Sequence, residues 1–172
     1  LCKISTSTEQ GEGEHKLFQH IRESPELYSD KTTIVYGLDA DLIMLCINHM
    51  YLCKNIYLFR ETPEFIKHID KSLNPNELYI LDIMELSSNI SLTMNNNTEC
   101  STEQEKNKLF DYIFICFMLG NDFMPHFPHI NIRTNGIHIL MDAYKETIGN
   151  RGLNLTNGKE IYWNNFRKFI SH

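Results

Sequence analysis

Apolar and polar positions fall into short blocks along the chain. The run Thr32-Thr33-Ile34-Val35-Tyr36 is β-branched and aromatic, which predicts a buried strand. Gly37 breaks it, and the apolar run from Leu42 towards His49 predicts a helix. Residues 55–60 and 78–83 have the same strand composition, with 63–76 irregular or partly helical between them. Upstream, Leu17, Phe18 and Ile21 recur at helical spacing, and Ser24-Pro25 ends that helix. Residues 109–119 are apolar almost all round and predict a deeply buried element. Two amphipathic helices are expected at 137–148 and 159–170, with Trp163 and Phe166 of the second in a core. Residues 87–108 are rich in Asn, Ser, Thr and Glu and read as a long surface loop. Strands alternating with helices predict an α/β fold with a mainly parallel sheet, followed by helices.

Acids sit at the ends of these blocks. Asp39 and Asp41 follow the first strand with one small residue between them. If both are extended they point to one side, roughly 6.6 Å apart at their roots, a spacing of two strand rises. Carboxylates so placed can bracket two divalent ions about 3.5–4 Å apart. Taken alone, the Asp-x-Asp spacing is better explained as an acidic turn capping the helix at Leu42. Glu12 and Glu14 alternate with Gly11 and Gly13 before the first helix. Positions two apart diverge by about 200° on a helix, so the two glutamates serve one site only if the helix begins late or if one of them acts without touching the ion. Asp122 follows the buried run and Gly120-Asn121, where an unpaired acid is costly unless a metal or a partner compensates it. His126 and His129, flanked by prolines, read as packing or hydrogen-bonding histidines rather than ligands.

At 172 residues the chain suits one domain, and 42% hydrophobic with 22% charged residues is ordinary for a globular protein. Its longest apolar run is too short to span a bilayer, so no membrane association is expected. The five cysteines form no Cys-x-x-Cys pair, and Cys46 and Cys116 lie in apolar runs, which predicts reduced thiols in an intracellular protein. A net charge of −6 argues against binding nucleic acid through a basic surface. Divalent ions held by the acids would supply the missing positive charge. The chain begins with Leu1 and is expected to be a piece of a longer protein.

Three segments in this order resemble the 5′-3′ exoribonuclease (XRN) family: Gly11-Glu12-Gly13-Glu14-His15-Lys16, then residues 36–45 around Asp39-Ala40-Asp41, then Gly120-Asn121-Asp122-Phe123-Met124-Pro125-His126-Phe127-Pro128. The resemblance runs from about Gly11 to Phe169 and covers the second half of the family's amino-terminal nuclease region. Gln10 departs from the proline usual before the first motif. The resemblance implies a PIN-like, flap-nuclease-like three-layer core, with residues 1–172 forming part of a single nuclease domain. It implies that Glu12, Glu14, Asp39, Asp41 and Asp122 are the metal-binding and catalytic acids, holding two Mg²⁺ or Mn²⁺ ions. The implied substrate is single-stranded RNA with a 5′-monophosphate, degraded to nucleoside 5′-monophosphates. The remaining aspartates and the 5′-phosphate pocket are expected in the rest of the nuclease domain, upstream and downstream of this chain. A flap-type DNA endonuclease and a non-catalytic RNA-binding scaffold are the competing readings.

Overall fold

The computed structural model describes residues 2–60, 71–74, 76–121 and 124–172. The chain divides into two compact units, Leu1–Leu86 and Ser87–His172.

In the first unit, helix α1 (Gly13–Glu23) buries Phe18 and Ile21, and Leu17 stays exposed. Strand β1 (Thr32–Tyr36), helix α2 (Asp41–His49) and strand β2 (Asn55–Arg60) follow, then β3 (Tyr79–Asp82). The strands order as β1-β2-β3. β1 and β2 are parallel, with Val35 opposite Leu58, and α2 is the crossover between them. Val35, Ile56 and Leu58 are buried, together with Leu42, Cys46 and Ile47 of α2. β3 pairs antiparallel to β2, with Leu81 opposite Leu58. The sheet is therefore mixed rather than mainly parallel. Parallel pairing requires a crossover that returns the chain to the same end of the sheet, which α2 supplies for β2; β3 enters from the other end. Of the segment 63–76, expected to be irregular or partly helical, residues 63–70 and 75 lie outside the described residues.

Helix α3 (Ile83–Met94) begins directly after β3, because Asp82 Oδ1 accepts the backbone N–H groups of Met84 (3.0 Å) and Glu85 (3.1 Å). Helix α4 (Thr102–Phe117) opens on a capping box: Gln104 N–H donates to Ser101 Oγ (3.4 Å), and Ser101 N–H donates to Gln104 Oε1 (3.0 Å). The long loop expected over 87–108 is thus reduced to residues 95–101. Polar composition here marks the outer faces of two capped helices.

α4 and α5 (Gly136–Thr147) build the second core with α6 (Trp163–Ile170): Ile115, Leu140, Tyr144, Ile148, Leu155 and Phe169 are buried together with Met94. α4 is not buried all round, since Phe117 is exposed. α6 starts four residues later than expected. Thr156 and Ile161 form an antiparallel bridge, and Asn157 Oδ1 captures the N–H groups of Lys159 and Glu160, at 2.9 and 2.8 Å. On α6, Phe166 packs against the core but Trp163 is 65% exposed, contrary to its expected burial.

The second unit also contains an acid that sequence reasoning passed over. Asp111 lies fully buried inside the apolar run, accepting hydrogen bonds from Tyr144 Oη (2.8 Å) and from the N–H groups of Leu155 (2.9 Å) and Thr156 (2.8 Å). Burial pushes its carboxyl up to about 6, with the three hydrogen bonds and the nearby Lys108 acting in the opposite direction. It pins the 155–156 backbone to α4. A lone aspartate in an otherwise apolar helical stripe was the available signal.

Candidate metal centre

Two local structures present the acids of the first unit. Glu12 is the N-cap of α1, with extended backbone angles (φ −71°, ψ 148°), and helical geometry begins at Gly13. The first helix therefore starts between the two glutamates. Glu12 leaves from an extended residue and Glu14 from the first turn, so the 200° divergence of a continuous helix does not apply. The second structure is the turn from β1 to α2. β1 ends at Tyr36, although Gly37 N–H still donates to Phe59 O (3.2 Å). Leu42 of α2 packs directly over Gly37, where any Cβ would collide with its side chain. That contact draws the start of α2 down onto the carboxyl end of β1.

Asp39 and Asp41 are not two positions of one strand, so the spacing of two strand rises is overturned. Ala40 has helical angles (φ −70°, ψ −28°), and Asp41 is the first residue of α2. Asp39 Oδ1 instead accepts the Asp41 N–H at 3.3 Å, a local turn that leaves its other oxygen uninvolved in that bond. The capping role foreseen for an aspartate is not taken up: the N-cap of α2 is Ala40, without a side-chain cap bond, and Asp39 closes only the turn before it.

The two structures share one electrostatic field. The Glu14 carboxyl is raised above its ordinary value by partial burial first, then by Asp39, Asp41 and Glu12, with His15 partly offsetting them. His15 Nε2 lies 3.7 Å from Glu12 Oε2, both side chains being exposed. Glu14 and Asp41 are half-buried, while Glu12 and Asp39 are exposed. These are hard oxygen donors of the kind that Mg²⁺ and Mn²⁺ select. Among the described residues, no three His, Cys, Asp or Glu side chains stand close enough together to hold a metal ion. The donor set thus suits a divalent cation chemically, and its arrangement is open.

Asp122, with Phe123, lies outside the described residues. Its flanks are tightly held. Asn121 N–H donates to Met124 O (2.9 Å), Met124 N–H donates to Asn121 Oδ1 (2.8 Å), and Phe127 N–H donates to Met118 O (2.8 Å). Gly120 has φ +84°, and a Cβ there would stand 2.7 Å from His126 N, so only glycine fits this turn. His126 and His129 are exposed rather than packed, and His126 Nδ1 lies 3.0 Å from Phe127 O. None of the described helices is long and apolar enough to cross a membrane.

The chain matches two family descriptions: "XRN 5′-3′ exonuclease N-terminus" over residues 2–62 and "Xrn1 helical domain" over residues 102–172. These matches fall in the first and second compact units respectively. A protein of Acanthamoeba polyphaga mimivirus, provisionally named a 5′-3′ exonuclease, is 33% identical over 84% of this chain and 22% of its own length. The 5′-3′ exoribonuclease 2 of Arabidopsis thaliana is 27% identical over 97% of the chain and 20% of its own length. That of Saccharomyces cerevisiae is 31% identical over 83% of the chain and 16% of its own length. The chain spans about a fifth of the length of the curated relatives it matches.

Proposed function

This chain belongs to the XRN 5′-3′ exonuclease family, and from that premise we propose that it carries part of the metal site of a 5′-3′ exoribonuclease. The protein containing it would hydrolyse single-stranded RNA from a 5′-monophosphate end, releasing nucleoside 5′-monophosphates. The observation that supports the reading is the proximity of Asp39, Asp41 and Glu12 to Glu14, whose carboxyl is raised first by burial and then by these three acids, although they come from two separate turns. Acids that repel one another in this way are a cost to the fold unless cations offset it. Asp122 is the fifth proposed ligand, on the strength of its motif alone. A PIN-like three-layer nuclease core is part of the same proposal.

Within this site the residues of the chain have separable tasks. Glu12 and Glu14, and Asp39 and Asp41, are the proposed carboxylate ligands for Mg²⁺ or Mn²⁺. Asp39 also holds its own turn through the Asp41 N–H, so truncating it to alanine costs both a ligand and the local geometry, whereas asparagine keeps the accepting oxygen. His15, beside Glu12, offsets negative charge at the exposed rim. Divalent cations held by these carboxylates would supply a polarised water for attack on the phosphodiester and would stabilise the leaving 3′-oxygen.

The test uses the full-length protein containing this chain and 3′-labelled RNA. Decay should require Mg²⁺ or Mn²⁺, stop with EDTA, prefer a 5′-monophosphate over a 5′-hydroxyl, and vanish in the Asp41→Asn variant. Cleavage of flapped DNA without decay of RNA would transfer the site to a structure-specific endonuclease. Tight RNA binding with no hydrolysis under any metal would leave a scaffold.

A further inference from the structure

α1 and α2 carry the acids at their amino-terminal ends and are tied together at their carboxyl-terminal ends. The tie is a hydrogen-bonded pair. His49, in the last turn of α2, is buried, and its Nδ1 lies 2.7 Å from Leu45 O of the same helix. A carbonyl only accepts, so Nδ1 carries the proton and Nε2 is left as an acceptor. Arg22, in the last turn of α1, fills that acceptor: its Nη1 donates to His49 Nε2 at 2.7 Å. The Phe18 ring of α1 lies 4.7 Å from the imidazole, closing the contact on its apolar side. Burial, with the Arg22 charge beside it, holds His49 below its ordinary value, while the Leu45 carbonyl acts the other way.

We propose that Arg22 and His49 are positioning residues that hold the Glu12–Glu14 end of α1 in register with the Asp39–Asp41 end of α2. The inference rests on the metal reading given above. Its physical basis is leverage. Eleven residues of α1 span about 16 Å, so a tilt of about 5° at the tied end would move the glutamates by roughly 1 Å. Mutual repulsion among the four carboxylates pushes these ends apart, and a fixed joint at the opposite ends resists that splaying. Neither residue touches the proposed ligands, so their effect is geometric.

The experiment is Mn²⁺ titration calorimetry on the full-length protein containing this chain, paired with metal-free thermal unfolding. The variants are Arg22→Met, His49→Leu, their double, and His49→Gln, which keeps an acceptor close to the position of Nε2. Arg22 is an exposed residue, so Arg22→Met leaves the core intact and keeps the test valid if His49→Leu fails to fold. Each single loss should weaken Mn²⁺ affinity about tenfold, and the double should be no weaker than the singles because both remove one joint. His49→Gln should bind nearly as wild type. A lowered melting temperature with unchanged Mn²⁺ affinity would overturn the positioning role and leave only a structural contact, as would additive losses in the double variant. Absence of Mn²⁺ uptake by the wild-type full-length protein would instead overturn the metal reading itself, and the positioning role with it.

Discussion

At the scale of single residues, the acid with the most perturbed titration is structural. Asp111 titrates near 6 in the fold against an ordinary 3.8, so the folded state holds its proton more tightly than the unfolded chain. Its contribution to stability is therefore complete below the ordinary value and is lost as pH rises through about 6. Between about pH 4 and pH 7 the wild-type chain should lose on the order of 3 kcal/mol relative to Asp111→Asn, which does not titrate. Urea unfolding of both proteins across that range measures this, and parallel curves would refute it. Asp111→Ala should be worse at every pH, costing about 3 kcal/mol or more because it leaves two backbone N–H groups and a tyrosine hydroxyl without their acceptor. Proposed ligands behave in the opposite sense. Asp39→Asn with Asp41→Asn relieves repulsion at Glu14, so it should change metal-free stability little while removing the rise in melting temperature on adding Mn²⁺. The proposed ligands stand out in the sequence through their motifs. Asp111 does not, because its three donors come from residues 144, 155 and 156, far along the chain.

At the scale of elements, capping and close packing decide where helices begin. Ser101→Ala removes the acceptor for Gln104 N–H and should cost about 1 kcal/mol, read by thermal unfolding. The Ser-x-x-Gln signature at 101–104 was present in the sequence, and polar composition around it masked a helix. Limited proteolysis should accordingly cut within residues 95–101 and spare 87–94 and 102–108; early cleavage inside either flanking segment would restore the long-loop reading. At Gly37, substitution by alanine drives a Cβ into the buried Leu42 side chain. The cost should be about 1–3 kcal/mol, and Mn²⁺ affinity should fall as well, because the start of α2 moves with Leu42. Unchanged affinity in a folded Gly37→Ala variant would show that this contact does not set the site.

At the scale of the whole molecule, one face of the sheet stands out. Ile34, Tyr36 and Ile80 are 60%, 58% and 55% exposed, and the register sets Tyr36 beside Phe59 and Phe59 beside Ile80. Polar substitutions there, such as Ile34→Thr and Ile80→Thr, should change stability by less than about 0.5 kcal/mol and reduce binding of a hydrophobic dye. A loss of several kcal/mol would mean that the face is buried in solution. The sequence by itself determined the local layout. β1, α1, α2, β2 and α5 were all readable from the period of their apolar residues, and the ordered acidic motifs pointed to the family. These signals are local, arising from residues a turn or a strand apart. Tertiary structure decided the rest: the antiparallel entry of β3, the division into two cores, the shared field at Glu14 and the Arg22–His49 joint. Each depends on which distant segments come together. A one-dimensional pattern specifies which face of an element is apolar but not which partner covers it, or from which direction.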